Sequence, residues 1–275
     1  MRNLYQIYLI SDSTGETLDR IFLALKAQFP NFEYETNNFS FTRTESQTLS
    51  ILKQAREDKN SIILYTIVNS KLAKYLTEKA YERNIPCFGV LGDLILNFSK
   101  VLNQKASHQP SGQHILNEEY YDRIDAIQFT MNHDDGNQTD DIEKSDIILL
   151  GVSRTSKTPT SIYLANRGFK TSNIPLVNKN SIPSKVTEKN FMPCVVGLVT
   201  EAERLYDLRK NRLTSLKEDQ SSEYVNIDKI RDELDSARKI FKENNWPTID
   251  VTRKSVEETA ASVIKIYEIK SKKNA

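Results

Sequence analysis

Short apolar, β-prone runs alternate with amphipathic helical stretches along most of this 275-residue chain. The first run covers residues 5–11, and a helical pattern follows it in Leu18, Ile21, Phe22 and Leu25. A second series of the same kind starts at Asp146 with the apolar run 147–150. Strands that alternate with helices build parallel sheets covered on both faces. The sequence therefore predicts an α/β fold with parallel sheets.

The two series indicate two α/β regions, 1–105 and 146–275. Residues 106–145 are predicted to form a connecting helix and loop, because 104–113 are polar and 117–131 carry one apolar helical face. Strands are predicted at 5–11, 39–41, 61–68, 86–90, 147–150, 174–177, 194–198 and 248–251. Helices are predicted after the first strand and at 45–56, 71–83, 117–131, 158–167, 201–213, 227–244 and 255–269. A Ser-x-x-Glu pattern at Ser255 and Glu258 predicts a capping box for the last helix, and no internal repeat is visible.

Composition and charge exclude several classes of protein. The formal net charge of +1 does not favour a nucleic-acid partner, and no run of 18 apolar residues predicts a membrane span. The N-terminus lacks the pattern of a signal peptide. Cys87 and Cys194 lie in apolar runs without metal-type spacing, which favours buried thiols in a reducing compartment. We therefore expect a cytoplasmic globular protein, with a homo-oligomer left open.

The junction between the run 147–150 and the next helix has the pattern of a phosphate-binding loop. Such a loop needs a strand, a turn of exposed backbone N–H groups and a helix N-terminus whose dipole favours anions. The predicted nucleotide-binding residues are Gly151, Val152, Ser153, Arg154, Thr155, Ser156, Lys157 and Thr158. Lys157 would contact the terminal phosphates, and the Thr158 hydroxyl would bind Mg²⁺.

The motif departs from the usual pattern at Ser156, where a glycine is expected. A positive φ there would cost serine roughly 1 kcal/mol, whereas Pro159 suits the first turn of a helix. The alternative is a plain strand–turn–helix with a solvated lysine. Because the surrounding order of elements is that of small P-loop kinases, we predict a P-loop kinase-like nucleotide-binding domain over 146–275.

Two other groups of residues could assist phosphate chemistry. Arg204, Arg209 and Arg212 fall within about 140° on one helical face, as in an arginine-rich lid, or they line a solvated face. Asp134 or Asp135 could act as a general base or bind Mg²⁺, or the pair could simply end a helix. Asp93 and Asp125 are weaker candidates of the same kind.

The run from Ser11 to Gly15 follows the first predicted strand and precedes a helix. Its N–H groups could bind an anion. Alternatively, Ser13 or Thr14 could cap the helix, which the chemistry alone favours. The same two interpretations apply to Arg43 and Thr44 at another strand-to-helix junction.

The chain resembles the pyruvate, phosphate dikinase regulatory protein family nearly from end to end. The most specific stretches are Tyr121-Asp-Arg-Ile-Asp-Ala-Ile127, His133-Asp-Asp-Gly136 and Gly151-Val-Ser-Arg-Thr-Ser-Lys-Thr-Pro-Thr-Ser161. The stretches Ile10-Ser-Asp-Ser-Thr-Gly15, Glu203-Arg-Leu205 and Ser255-Val-Glu-Glu258 add support. Serine before the lysine occurs in this family alongside glycine.

The resemblance implies an ADP-dependent serine/threonine protein kinase that is also a phosphorylase. Such a protein inactivates its partner by phosphorylating a threonine with ADP, and reverses this with inorganic phosphate to give pyrophosphate. The partner would be pyruvate, phosphate dikinase or phosphoenolpyruvate synthase, and the stretch 163–170 is more similar to the dikinase branch.

In the implied chemistry, attack on the β-phosphorus of ADP needs a base, a metal and cationic groups. Asp134 or Asp135 fits the first role, Thr158 with Mg²⁺ the second, and Lys157 with Arg154 the third. The rival functions are a small-metabolite P-loop kinase and a nucleotide sensor without turnover.

Overall fold

The computed structural model describes residues 4–112, 116–177, 181–188, 190–216 and 223–274. The chain divides into two compact units, Met1–Ile115 and Leu116–Ala275. Within the described residues the strands form two parallel four-stranded sheets, one in each unit. The predicted α/β class with parallel sheets is confirmed. None of the described helices combines the length and apolarity needed to cross a bilayer.

The first unit alternates strands and helices from its first element to its last. They are β1 (Tyr5–Ser11), α1 (Glu16–Lys26), β2 (Tyr34–Phe39), α2 (Glu45–Glu57), β3 (Ser61–Thr66), α3 (Ser70–Tyr81), β4 (Cys87–Gly89) and α4 (Gly92–Leu102). The sheet order is β2-β1-β3-β4, and every pair is parallel.

The second unit opens with helix α5 (Glu118–Asn132) and then alternates strands and helices. They are β5 (Ile147–Gly151), α6 (Lys157–Ala165), β6 (Thr171–Pro175), β7 (Cys194–Val199), α7 (Ala202–Leu216), α8 (Ile227–Glu243), β8 (Thr248–Asp250) and α9 (Val256–Asn274). Short 3₁₀ helices at Asp134–Gly136 and Thr139–Lys144 join α5 to β5, and another lies at Glu223–Val225. The predicted capping box is confirmed: Ser255 N donates to the Glu258 carboxylate at 2.8 Å, and Glu258 N donates to Ser255 Oγ at 3.1 Å.

The second sheet has the order β6-β5-β7-β8, which is the order of the first sheet counted within its own unit. This order is that of flavodoxin-like doubly wound folds, in which ligands bind beyond the carboxyl ends of the strands where the strand order reverses. In the two units the reversal lies between β1 and β3 and between β5 and β7. The sequence predicted two α/β regions but gave no sign of this shared topology.

Two strands differ from their predicted positions because they carry more polar residues than the prediction allowed. β2 spans Tyr34–Phe39 instead of 39–41, and it forms the edge of its sheet, where polar residues are tolerated. β6 begins at Thr171 instead of residue 174. Its buried Ser172 shares a hydrogen bond of 2.7 Å with Ser145 Oγ, which compensates for burial of both hydroxyls. Helix α4 was not predicted at all.

The segment between α5 and β5 falls within the second unit. Thr171 N donates to Thr130 Oγ1 of α5 at 3.0 Å, and Asn173 N donates to the His133 carbonyl at 3.2 Å. Both bonds pair amides of an edge strand that would otherwise lack a partner on that side. The side chain of Ile142 also belongs to the core of this unit.

Candidate functional site

The loop between β5 and α6 has a tightly constrained backbone. A Cβ on Gly151 would lie 2.8 Å from the Leu198 carbonyl oxygen, so only glycine fits where the strand ends. Arg154 and Ser156 have φ values of 75° and 60°. The left-handed conformation costs an ordinary residue roughly 1–2 kcal/mol. The positive φ that the motif implied for Ser156 is therefore present, together with a second one at Arg154.

Bonds within the loop give it a closed, compact shape. Thr155 Oγ1 donates to the Val152 carbonyl oxygen at 2.9 Å, and Lys157 Nζ donates to the same oxygen at 3.1 Å. Helix α6 starts directly after the loop, with Thr160 N donating to the Ser156 carbonyl. The first amides of a helix have no partner inside it, so this junction is suited to bind an anion.

Lys157 is buried, with a relative exposure of 5%. Burial lowers the pKa of its ammonium group to about 8, and the Asp135 and Asp134 carboxylates partly offset this effect. A cation held in such a place is poorly solvated. It would gain more from a bound phosphate than a lysine in water would.

The predicted acidic pair lies at this loop, in the 3₁₀ turn that follows α5. Thr158 Oγ1 donates to Asp134 Oδ1 at 3.0 Å, and Asn173 Nδ2 donates to the same oxygen. Asp135 N donates to Asn173 Oδ1 at 3.0 Å, and the Asp135 side chain is exposed. Asp134 is thus fixed against the first turn of α6, whereas the Asp135 carboxylate is left accessible.

His133 fixes the start of this turn. Its Nδ1 lies 2.7 Å from the Phe129 carbonyl, and its Nε2 lies 2.8 Å from Asp141 Oδ1. The His133 and Lys144 hydrogen bonds lower the pKa of the Asp141 carboxyl. The ring is 3% exposed and stacks on Phe129. His133 is therefore a buried structural residue, and Asp135 is the exposed member of the motif.

A cleft of about 940 Å³ opens above the loop and the acidic turn. Its polar part is formed by Asp134, Asp135, Ser153, Arg154, Ser156, Lys157 and Thr158. Its remaining walls are largely apolar and come from Pro159, Pro175, Val177, Leu208, Leu213 and Tyr224, with Arg212 beside them. The cleft thus joins a phosphate-type environment to a surface that could contact an apolar or aromatic group.

The three arginines considered for a lid or a solvated helical face have different positions. Arg212 lines the cleft, whereas Arg204 is exposed and does not line it. Arg209 is 1% exposed and forms an ion pair with Glu233, with 2.6 Å between Nη2 and Oε2. Neither interpretation, an arginine-rich lid or a solvated helical face, fits Arg209, because its guanidinium is buried between helices.

The weaker acidic candidates lie elsewhere. Asp125 of α5 forms an ion pair of 2.5 Å with Lys170, and Asp93 belongs to α4 in the first unit. Neither residue lines the cleft.

Sequence reasoning missed Asn173 and Tyr224. Asn173 bonds to both aspartates of the acidic turn, and Tyr224 OH lies 3.1 Å from Ser153 Oγ. The run Thr171-Ser-Asn173 inside a buried strand was a usable signal for the first, since buried polar residues need partners. No local pattern marks Tyr224.

The strand-to-helix junction of the first unit has a glycine at its N-cap position. Gly15 precedes α1 with a φ of 92° and has no side chain that could cap the helix. Ser11 Oγ accepts from Ser13 N and Thr66 Oγ1. A cavity of about 190 Å³ lies there, lined in part by Ser11, Ser13 and Gly15.

At the next junction the capping interpretation is confirmed. Thr44 and Gln47 form a complete capping box at the start of α2. Arg43 Nε donates to the Asp12 carbonyl at 2.9 Å.

Comparison with known proteins gives matches that extend over both units. A sequence model of the kinase/pyrophosphorylase family matches residues 7–264. A relative from Pelagibacter ubique (strain HTCC1062) is 66% identical over 269 residues, which cover 98% of each chain. A relative from Sphingopyxis alaskensis is 46% identical over 262 residues, covering 95% of this chain and 96% of the relative. One from Chelativorans sp. (strain BNC1) is 43% identical over 263 residues, covering 96% of each chain. All three are named as pyruvate, phosphate dikinase regulatory proteins.

Proposed function

The chain belongs to the kinase/pyrophosphorylase family, and on that premise we propose that it is a bifunctional regulator of pyruvate, phosphate dikinase. In one direction a threonine hydroxyl of the partner attacks the β-phosphorus of ADP. The bond to the α-phosphate bridging oxygen breaks, giving phosphothreonine and AMP. In the other direction inorganic phosphate attacks the phosphothreonine phosphorus, giving pyrophosphate and the free threonine.

One observation carries this proposal. The cleft brings Lys157 and Thr158, at the start of α6, together with the carboxylates of Asp134 and Asp135 and with a loop suited to bind an anion. Phosphoryl transfer depends chiefly on positioning and on stabilising negative charge, and this cleft supplies both. The backbone from Gly151 to Thr158 would hold the diphosphate, while Lys157 and Arg154 would neutralise its charge.

The residues present also fit Mg²⁺. Thr158 Oγ1 and the Asp134 carboxylate are the hard oxygen ligands that this ion prefers. No group of three or more His, Cys, Asp or Glu side chains suited to a metal occurs among the described residues. That agrees with an ion held largely by substrate phosphates and water. When bound, Mg²⁺ would offset charge on the phosphates.

The two aspartates have surroundings that suit different roles. Asp134 Oδ1 accepts from Thr158 and Asn173, so this carboxylate orients the first turn of α6. Asp135 is exposed at the cleft, and in this proposal it takes the proton of the attacking threonine. In phosphorolysis the same proton would return to the threonine oxygen as it leaves.

The nucleoside would lie on the less polar part of the cleft. Leu208, Leu213 and Tyr224 offer the apolar and aromatic surface that base and ribose need. Cys87 and Cys194 are free thiols, which supports placing the protein in the reducing cytoplasm.

A product assay tests the proposal. Purified protein is incubated with ADP, Mg²⁺ and pyruvate, phosphate dikinase, and we expect AMP and phosphothreonine in equal amounts. Replacing ADP with phosphate should then release pyrophosphate and restore the dikinase. Turnover only with phosphoenolpyruvate synthase would reassign the partner. Turnover of ATP with a small acceptor would indicate a metabolite kinase, and binding without any product would indicate a sensor.

Two variants test the residue roles. Lys157→Ala should abolish both directions while the fold persists, and Lys265→Ala, at an exposed position of α9, is the matched control. Asp135→Asn should lower kcat by about 10²–10⁴-fold, the usual contribution of a general base, with ADP affinity little changed. Near-normal turnover in Lys157→Ala would refute the loop assignment, and near-normal kcat in Asp135→Asn would refute the base.

A further inference from the structure

Arg209 is a large charged side chain in an almost fully buried position. It lies on α7, and its relative exposure is 1%. Its two terminal nitrogens donate to the Glu233 carboxylate of α8, Nη1 at 3.2 Å and Nη2 at 2.6 Å. Its Nε, also buried, has no hydrogen-bond acceptor among the described residues. Burying a guanidinium costs free energy, so the other contacts of Arg209 should show which part of the structure it supports.

Those contacts lead to the phosphate-binding loop. Arg209 Nη2 donates to the Ser153 carbonyl at 3.4 Å, and Nη1 donates to the Tyr224 carbonyl at 3.2 Å. The guanidinium also lies over the Tyr224 ring, 4.6 Å from its centroid. Tyr224 OH in turn lies 3.1 Å from Ser153 Oγ. Ser153 is therefore contacted at its carbonyl by Arg209 and at its hydroxyl by the tyrosine that Arg209 holds.

Ser153 stands directly before the strained part of the loop. Arg154 and Ser156 both have left-handed backbones. Unfavourable conformations of this kind persist only where the surroundings fix them. The bonds of Thr155 and Lys157 to the Val152 carbonyl come from within the loop. The Arg209 and Tyr224 contacts come from outside it and connect the loop to α7 and to the 3₁₀ helix Glu223–Val225.

We propose that Arg209 is a positioning residue that holds the phosphate-binding loop in its anion-binding conformation through Ser153 and Tyr224. The Glu233 carboxylate neutralises the charge of Arg209 and orients its two terminal nitrogens. The planar guanidinium can reach Glu233, Ser153 and Tyr224 at once, which an ammonium group cannot. This inference rests on the proposed nucleotide site, but the state of the loop can be measured without nucleotide.

The first test compares hydrogen exchange of the loop amides in the ligand-free protein. Arg209→Met should speed exchange at residues 153–157, because the loop loses its outside support. The matched control is Arg231→Met, which removes another α7–α8 ion pair, between Arg231 and Glu203 at 2.9 Å, that does not contact the loop. Equal loop exchange in the wild type and a folded Arg209→Met protein would overturn the proposal. So would equal acceleration in both variants.

The second test measures affinity for ADP by calorimetry and steady-state kinetics in both directions. Arg209→Lys should recover most of the thermal stability lost in Arg209→Met. It should still raise KM for both ADP and phosphate by about tenfold, the equivalent of one charged hydrogen bond. We expect kcat to fall less than KM rises, because Lys157 and Asp135 are untouched. If Arg209→Lys restored both the thermal stability and the wild-type KM, Arg209 would have only a structural role.

A gentler variant keeps the proposal testable if Arg209→Met does not fold. Tyr224→Phe removes only the hydroxyl beside Ser153 Oγ, and it should raise KM for ADP by about two- to fivefold. Unchanged loop exchange and unchanged KM in both Tyr224→Phe and Arg209→Lys would overturn the proposal. A wild-type protein that binds no ADP, yet has loop exchange sensitive to Arg209, would instead overturn the proposed function alone.

Discussion

Lys157 carries its charge in a site that solvates it poorly. In the ligand-free protein its ammonium group donates to the Val152 carbonyl, and burial lowers its pKa to about 8. The negative charge of a bound diphosphate would raise the pKa of Lys157, because it favours the ammonium form. The free and bound proteins should therefore differ in the pKa of this one group.

This difference predicts a pH dependence of ADP binding. Below pH 8 the ammonium is present before and after binding, so Lys157 should add no pH dependence to the affinity. Above pH 8 binding must take up a proton, and the association constant should fall by up to about tenfold per pH unit. Calorimetry measures this association constant between pH 6.5 and 9.5 (both about one and a half units from the expected pKa). A chelator in the buffer excludes Mg²⁺.

The matched variant for this prediction is Lys157→Arg. Arginine stays protonated throughout this range, so the fall above pH 8 should disappear even if affinity is lower overall. A wild-type profile that is flat to pH 9.5 would show that Lys157 does not face the phosphates.

At the scale of elements, the position of α8 depends on a glycine in β7. A Cβ on Gly197 would lie 2.5 Å from Phe241 Cδ2, and Phe241 is fully buried. Helix α8 therefore packs against the sheet at a distance that no larger residue permits. The same helix carries Glu233, the partner of Arg209, so its position matters for the loop as well as for the core.

Gly197→Ala should accordingly lower the free energy of unfolding by about 1–3 kcal/mol, the usual cost of overpacking a core. Urea denaturation followed by circular dichroism gives the value. Gly92→Ala is the control: a Cβ there meets nothing within 4 Å, and alanine suits a helix. Equal stability of the wild type and the Gly197→Ala protein would mean that Phe241 can move aside freely.

Sequence reasoning located most elements but placed the polar ones poorly. The apolar runs of β1, β5 and β7 were recognisable because burial on both faces demands continuous hydrophobic residues. Strand β2 is polar, and the sequence does not show that it would lie at an edge. Helix α4 was overlooked although Leu94, Phe98 and Val101 follow helical spacing, because a short apolar run such as residues 94–96 fits a strand equally well.

The same limit applies to the candidate site. The loop from Gly151 to Thr158 was found because its residues are adjacent in sequence. Asn173 and Tyr224 reach it from other elements, and only the fold brings them there. Arg209 shows that adjacency on a helix can also mislead. Helical spacing predicts one shared face for Arg209 and Arg212, but Arg209 is buried between α7 and α8, whereas Arg212 lines the cleft.

At the scale of the whole molecule, the two units share a strand order without a visible sequence repeat. Each unit has its own hydrophobic core. The clusters around Leu52 and Leu18 lie in the first unit, and those around Phe241 and Leu164 lie in the second. Each unit thus buries the apolar surface that independent folding requires.

This organisation predicts that a fragment spanning 116–275 folds alone. It should unfold in one cooperative transition, measured by urea denaturation, and bind ADP with an affinity within a few-fold of the full chain. The prediction depends on the residues before β5, because α5 bonds to the edge strand β6 and the 3₁₀ helix Thr139–Lys144 supplies Ile142 to the core. A shorter fragment, 146–275, starts at the boundary that the sequence suggested and lacks all of these residues.

The shorter fragment would leave the Asn173 side chain without Asp134 and the Thr171 amide without Thr130. Each unpaired group costs about 1–3 kcal/mol if it stays buried, and the loss of Ile142 adds the cost of a cavity. We therefore expect 146–275 to be several kcal/mol less stable than 116–275, or unfolded. Equal stability of the two fragments would place the boundary at residue 146. Failure of 116–275 to fold would show that the two units form one cooperative structure.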